Sequence, residues 1–251
     1  MGILEIGIQP NFLNRFVSHL KSGKRSKSYI VSGQTNRLGL EFAEAFSMSV
    51  NCENMDGDFC GTCKSCKMIL GRTHPDFQIY DIEKNKTKIG IETIRIIQED
   101  SSKTNYMAKS RFNIILNADK MTTQAQNALL KTLEDGSNDC TTIMLTDSPD
   151  LILPTIHSRS VYINLPPPPK NTLIDRLVEL GLPEEVCLLE YDDSGGDLDW
   201  LFWLLNNKEY GERILGVISK NNDMSEMLEI ILDTEYTEGI RLIFPQILSE
   251  S

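Results

Sequence analysis

Four cysteines lie within one fifteen-residue stretch, and closely spaced cysteine thiolates are ligands that zinc prefers. They are Cys52, Cys60, Cys63 and Cys66, with the spacing C-x7-C-x2-C-x2-C. Four thiolates complete a closed tetrahedral site without an open position for water, so zinc bound here would be structural. Gly57 and Gly61 stand between the cysteines, where tight turns are needed. The alternative is four reduced thiols that hold no metal.

A second stretch has the order of a phosphate-binding loop, in which an apolar strand meets Ser32-Gly33 and a helical pattern follows. A working loop reads G-x-x-x-x-G-K-[ST], with a lysine for the β/γ-phosphates and a hydroxyl for magnesium. Counted from Gly33, the last three places hold Leu38, Gly39 and Leu40. The sequence therefore predicts a degenerate loop without a nucleotide cofactor, where only backbone N–H groups at the helix start remain to attract phosphate weakly.

The elements that position these residues follow an α/β pattern. Short, nearly continuous apolar runs predict strands buried on both faces of a parallel sheet, and amphipathic runs between them predict helices. The predicted strands are 29–32, 77–82, 112–117, 142–146 and 160–165, and the predicted helices are 38–50, 92–104 and 124–134. Because strand and helix alternate, we expect a three-layer α/β domain with a five-stranded parallel sheet.

Four consecutive prolines at 166–169 predict a domain boundary, because they cannot continue a strand or lie deep inside a helix. We expect residues 1–165 to form the α/β domain, with the zinc module at 52–66. Residues 166–207 are predicted to form an all-helical lid domain, which begins with an amphipathic helix at 170–180. Residues 208–251 are predicted to form a short helical tail.

Composition restricts the classes of partner. The chain has 36 acidic and 25 basic residues and a net charge of −11, which disfavours nonspecific DNA binding by this chain alone. No apolar run approaches the ~20 residues that cross a bilayer, and no secretory signal pattern is evident. We therefore expect a cytoplasmic protein without a membrane partner. Disulfides are rare in the cytoplasm, so Cys140 and Cys187 are predicted to be buried thiols.

Residues from about 26 to 205 resemble the bacterial clamp-loader family, the AAA+ subunits of the DNA polymerase III holoenzyme. The resemblance rests on four motifs in a fixed order: the cysteine cluster, RTHPDF at 72–77, QNALLKTLEDG at 126–136 and HSRS at 157–160. The first cysteine interval is one residue shorter than in the family, and Ser160 replaces the cysteine of the family's Ser-Arg-Cys motif. The resemblance implies an AAA+ fold and a hetero-oligomeric ring with gamma/tau-type ATPase and delta-type subunits, acting on a sliding clamp and primed DNA.

Two departures decide which kind of subunit the chain resembles. Motor subunits combine the lysine loop with an Asp-Glu pair after the third strand. Here that pair falls on Leu116-Asn117 or Asn117-Ala118, so both halves of the hydrolytic site are missing. The chain therefore resembles the delta-prime type, and we do not expect it to hydrolyse ATP. The family also has a longer helical collar, so the tail is either reduced, a fragment, or folded only against partners.

The resemblance assigns a role to Arg159. In the family, the arginine of the Ser-Arg motif points into the nucleotide site of a neighbouring subunit, where its guanidinium neutralises charge on the transferred phosphoryl group. Ser158-Arg159 match this motif, which implies an arginine finger acting in trans, with Ser158 as its motif partner. The alternative is a surface arginine that pairs with a nearby carboxylate.

The predicted function is thus that of a non-hydrolysing clamp-loader subunit that supports ATP-driven loading of the sliding clamp. Two other functions stay open. An ATP-hydrolysing gamma/tau-type subunit with an unusual site would bind and turn over ATP. A zinc-ribbon nucleic-acid-binding module would bind DNA by itself in a salt-dependent manner.

Overall fold

The structure is a computed structural model that describes residues 16–20, 25–33, 38–55, 57–135, 139–166, 170–179, 184 and 187–188. The chain divides into two compact units, Met1–Pro167 and Pro168–Ser251. The strands are β1 (Ser28–Ser32), β2 (Phe77–Tyr80), β3 (Arg111–Ile115), β4 (Cys140–Thr146) and β5 (Val161–Asn164). The helices are α1 (Leu40–Asn51), α2 (Lys64–Leu70), α3 (Ile91–Ser102), α4 (Thr123–Asp135), α5 (Pro154–His157) and α6 (Lys170–Glu179).

The five strands form one parallel sheet in the order β2-β3-β4-β1-β5. This confirms the predicted five-stranded parallel sheet. Strand β1 lies between β4 and β5, with Tyr29 opposite Ile143 on one side and Val161 on the other. Strand β3 ends at Ile115, two residues earlier than predicted, because Asn117 turns the chain into the left-handed region at φ 50°.

One face of the sheet packs against α1 through aromatic rings. The ring of Phe46 lies 5.0 Å from that of Tyr29 and 5.2 Å from that of Phe112, both edge-on. Phe42 and Phe16 pack beside Phe46, and all five rings are buried. Aromatic contacts of this geometry stabilise a core beyond the area that they bury.

The opposite face packs against α3 and α4 through aliphatic side chains. The sheet contributes Ile30, Met144 and Ile115, which lie side by side on neighbouring strands. The helices contribute buried residues at helical spacing, among them Ile94 and Ile97 of α3 and Ala125, Leu129 and Leu133 of α4. Helices on both faces complete the predicted three-layer α/β domain.

The helices differ locally from the sequence prediction. Helix α1 begins at Leu40, after a wider helical turn at residues 38–39. Helix α3 ends at Ser102 because Lys103 is extended, and the hydroxyls of Ser101 and Ser102 donate to the carbonyls of Ile97 and Glu99. Short helix α2, which begins inside the cysteine stretch and ends four residues after Cys66, was not predicted.

In the second unit, α6 lies where the first lid helix was predicted. Leu173 and Leu177, which share one face of this amphipathic helix, are buried there. The rest of the predicted lid and the predicted tail at 208–251 lie outside the described residues, apart from isolated positions between 184 and 188. Among the helices that the structure describes, none has the length and apolar content that crossing a bilayer requires.

Candidate functional site

The four cysteines converge from three local structures. Cys52 follows α1 and donates its N–H to the Met48 carbonyl at 2.8 Å, while Cys63 is the N-cap of α2 and Cys66 lies in the first turn of α2. Cys60 comes from the loop between the two helices. Gly57 and Gly61 have φ values of 70° and 68°, which place the tight turns where the sequence predicted them. The four sulfur atoms all lie within 4.8 Å of one another.

Hydrogen bonds prepare one of these thiols to lose its proton. The Cys60 sulfur accepts from the Thr62 hydroxyl and N–H at 3.4 Å each, and from the Cys63 N–H at 3.3 Å. These bonds favour the thiolate and lower the pKa of Cys60 to about 5. Burial raises the pKa of Cys66. Four converging sulfurs match the donor set of a closed zinc site.

Polar contacts fasten the cysteine cluster to the α/β domain. His74 is buried, its Nδ1 accepts the Asp76 N–H at 3.1 Å, and its Nε2 lies 3.4 Å from the Ser65 hydroxyl of α2. Because Nδ1 accepts, Nε2 carries the proton that is donated to Ser65. Lys109 Nζ donates to the Cys52 carbonyl at 3.1 Å. The two ends of the cluster are thus tied to the segments that precede β2 and β3.

The loop that follows β1 starts at a glycine with a left-handed backbone, a conformation that other residues adopt only with strain. Gly33 has φ 88°, and a β-carbon there would lie 2.5 Å from the Leu165 carbonyl oxygen. Ser32 donates to Asn164 Oδ1 at 3.2 Å and lies 2.7 Å from the Tyr162 hydroxyl. These contacts tie the end of β1 to β5. Residues 34–37 of the loop lie outside the described residues.

The positions that carry the lysine and the hydroxyl in a working loop are filled differently here. Gly39 stands in the place of the lysine and Leu40 in the place of the hydroxyl. Both are buried, as is Leu38. A buried leucine side chain offers no oxygen for magnesium. Leu38 and Leu40 instead contribute apolar surface to the core.

The carboxyl end of β3 is also occupied by local contacts. Asn117 Nδ2 donates to Asp81 Oδ1 at 2.8 Å. Asp119 accepts from the Thr146 hydroxyl at 3.0 Å and pairs with Lys120 at 3.1 Å. The carboxylate that follows β3 therefore has two partners within the chain.

The structure places Arg159 in the turn between α5 and β5. Its Nε and one terminal nitrogen both contact Glu134 Oε1, at 2.7 Å and 2.6 Å. Its other terminal nitrogen donates to the Thr155 carbonyl at 3.0 Å and to the Ser158 hydroxyl at 3.1 Å. Ser158 is thus a direct contact of the arginine. No sequence pattern indicated Glu134 as the partner of Arg159, although Glu134 lies in the QNALLKTLEDG motif.

A family model described as DNA polymerase III, delta subunit, matches residues 8–169, which is more than half of the chain. The DNA polymerase III subunit delta' of Bacillus subtilis is 29% identical over 172 residues, 68% of this chain and 52% of the relative. That of Escherichia coli is 26% identical over 191 residues, 75% of this chain and 57% of the relative. The chain spans about half the length of these curated relatives.

Two further similarities widen the comparison. The DNA polymerase III subunit gamma/tau of Mycoplasma pneumoniae is 29% identical over 159 residues, 63% of this chain and 23% of that protein. The Thermotoga maritima RuvB Holliday junction branch migration motor superposes with a TM-score of 0.53 at 11% identity, over 89% of this chain and 68% of that structure. This likeness concerns the AAA+ fold alone. The matched family model and the delta' relatives show that the chain belongs to the clamp-loader delta-prime family of DNA polymerase III.

Proposed function

We propose that this chain is a non-hydrolysing, delta-prime-type subunit of the cytoplasmic replicative clamp loader. In that role it supports ATP-driven loading of the sliding clamp onto primed DNA by neighbouring ATPase subunits. The observation that carries the proposal is the content of the degenerate loop, where buried Gly39 and Leu40 stand in for lysine and hydroxyl. Phosphoryl transfer depends on positioned cations around the phosphates, and these residues supply none.

The proposal gives Arg159 a role in a neighbouring subunit. Its side chain is 39% exposed, in a turn that leads into the edge strand β5. Arg159 would be presented to a partner's nucleotide, where its guanidinium stabilises charge on the transferred phosphoryl group. The net charge of −11 favours contacts with primed DNA through the other subunits of the complex.

We further propose that Cys52, Cys60, Cys63 and Cys66 hold one structural zinc ion, because they present four converging sulfurs without another ligand type. The metal would hold α1, α2 and the loop between them together. The proposed domain order is the AAA+ domain at 1–165, a helical lid at 166–207 and a helical tail at 208–251.

The test of the arginine finger is the steady-state ATPase rate of the reconstituted loader with clamp and primed DNA at saturation. With Arg159→Ala the rate should fall in part, because other nucleotide sites of the complex have their own fingers. Arg159→Lys should rescue poorly, since an ammonium lacks the planar fork that spans two phosphate oxygens. Equal rates for wild type and Arg159→Ala would overturn the finger.

A matched control uses an ion pair of the AAA+ domain that is about as exposed and lies outside the Ser-Arg motif. Lys86 Nζ contacts Glu83 Oε2 at 2.8 Å, and the two side chains are 49% and 50% exposed. Lys86→Ala therefore removes the basic member of a comparable surface pair. It should leave the ATPase rate of the complex unchanged.

The second candidate is an ATP-hydrolysing gamma/tau-type subunit, favoured by the similarity to the Mycoplasma pneumoniae protein. The two candidates differ for the purified chain. The delta-prime proposal expects ATP turnover no faster than the buffer background. Turnover that survives repurification and is abolished by Gly33→Ala would overturn that proposal in favour of the motor.

A further inference from the structure

The contacts of Arg159 within its own chain occupy most of its donors. A guanidinium has five N–H groups. Nε donates to Glu134, the second terminal nitrogen donates to Thr155 and Ser158, and the first terminal nitrogen lies 2.6 Å from Glu134 Oε1 as an ion-pair contact. The edge formed by Nε and the first terminal nitrogen faces Glu134. Both edges that could grip two phosphate oxygens are therefore already engaged.

A phosphate and the Glu134 carboxylate need the same donors. Glu134 Oε1 receives both contacts along the Nε edge, at 2.7 Å and 2.6 Å. An incoming phosphate oxygen would have to displace that carboxylate before it could bind this edge. By contrast, the Ser158 and Thr155 contacts hold the opposite side of the guanidinium and leave the Nε edge available after Glu134 has left.

The ion pair between Arg159 and Glu134 is exposed enough to break at low cost. The Arg159 and Glu134 side chains are 39% and 50% exposed, so water replaces the lost partner when they separate. Exposed ion pairs of this type shift an equilibrium by about fivefold at most. Glu134 lies one residue before the end of α4, and Arg159 follows α5. The pair therefore joins the end of α4 to the turn through surface side chains, and its opening exposes no buried residue.

We propose that Glu134 is a positioning residue that acts as a latch on Arg159, and that it competes with the neighbouring subunit's nucleotide phosphate for the guanidinium. The inference rests on the arginine finger proposed above. In the unengaged chain the latch holds Arg159 against α4. When a phosphate is presented, it replaces the carboxylate on the Nε edge while Ser158 and Thr155 keep the side chain in place.

The first measurement is made on the isolated chain and does not depend on ATPase activity. Phenylglyoxal, an arginine-directed reagent, is added, and its rate of reaction at Arg159 is followed by mass spectrometry. Glu134→Gln keeps the shape of the side chain but removes its charge, so labelling of Arg159 should be about two- to fivefold faster. Glu99→Gln removes an exposed charge from α3 and should leave the rate unchanged.

The second measurement uses the reconstituted loader. Glu134→Gln should lower the KM for ATP by at most about fivefold with little change in kcat, because the competition for Arg159 is removed at one of several nucleotide sites. In an Arg159→Ala background the same substitution should have no effect. The latch would be overturned if Glu134→Gln had the labelling rate and the KM of the wild type. It would also be overturned if the substitution changed the KM equally with Arg159 and with alanine at that position.

The two proposals fail in different ways. If Arg159→Ala leaves the ATPase rate at the wild-type level, the finger is wrong and the latch has no function to control. If Arg159→Ala lowers the rate but Glu134→Gln changes neither labelling nor KM, the finger stands and the latch alone is wrong. Thermal unfolding of Glu134→Gln should match the wild type, which separates the latch from a folding defect.

Discussion

The carboxylate of Asp76 lies 2.8 Å from a terminal nitrogen of Arg111, and both side chains are almost completely buried. Asp76 also accepts the backbone N–H groups of Tyr106, Met107 and Ala108, at 2.9, 2.8 and 3.0 Å. Arg111 in turn donates to the Asp100 carbonyl at 2.8 Å. This network joins the entry of β2 to the start of β3 and to the loop after α3.

Removing the charge of Asp76 should strongly destabilise the AAA+ domain. In Asp76→Asn the buried Arg111 guanidinium loses its counter-charge, a change that typically costs about 3–5 kcal/mol. The free energy of unfolding from urea denaturation measures the loss. Glu83→Gln, which breaks the exposed pair with Lys86 at 2.8 Å, is the control and should leave the midpoint unchanged. Similar midpoints for both variants would contradict this account.

The same carboxylate should make stability depend on acid pH. Burial acts to raise the pKa of Asp76, but the three backbone donors and Arg111 outweigh it and hold that pKa below its usual value. A group with a lowered folded pKa contributes stability above its unfolded pKa of ~3.9, and the contribution is lost as pH falls through the folded pKa.

The unfolding free energy of the wild type should therefore fall steeply below about pH 4, where the unfolded chain takes up protons more readily than the folded one. Asp76→Asn should show a shallower decline. Burial acts to raise the pKa of Asp100 as well, but bonds from Lys103 and Tyr80 outweigh it and lower that pKa. Asp100 therefore retains part of the pH dependence of the unfolding free energy in the Asp76→Asn variant. Parallel curves between pH 3 and 7 would show that Asp76 does not contribute.

Gly33→Ala should lower stability through the backbone. Alanine at φ 88° is strained, and its β-carbon would meet the Leu165 carbonyl oxygen at 2.5 Å, so we expect a loss of about 1–3 kcal/mol. Gly90→Ala is the control: φ there is −88°, and the new β-carbon meets only the end of the flexible Glu92 side chain. Calorimetric unfolding should show the larger loss for Gly33→Ala.

Metal analysis tests the zinc proposal. Protein purified without chelator should contain about one zinc ion per chain. Cys63→Ser should lose metal and stability, since structural zinc contributes folding energy directly. Serine is itself a good N-cap, so the start of α2 is preserved and the lost thiolate is what changes. Cys140→Ala, in β4 away from the cluster, should keep its zinc. A zinc content near zero in the wild type would contradict the proposal.

The sequence by itself determined the five strands and the four longer helices, and with them the kind of fold. Buried parallel strands are apolar on both faces, so runs such as 29–32 and 142–146 are visible without any tertiary contact. The closely spaced cysteines also predicted a cluster from local information, because thiols on one short chain segment cannot lie far from one another. The missing lysine and acidic pair were also read directly from single positions.

Only the tertiary structure decided which distant residues meet. The order of the strands places β4 between β1 and β3, and no local pattern encodes that order. Glu134 and Arg159 are 25 residues apart, and Asp76 and Arg111 are 35 apart, so neither pair follows from helix or strand periodicity. A charged side chain pairs with whichever opposite charge the packing of the elements places beside it. The sequence therefore indicated the arginine, whereas the packing of α4 beside α5 supplied the carboxylate that holds it.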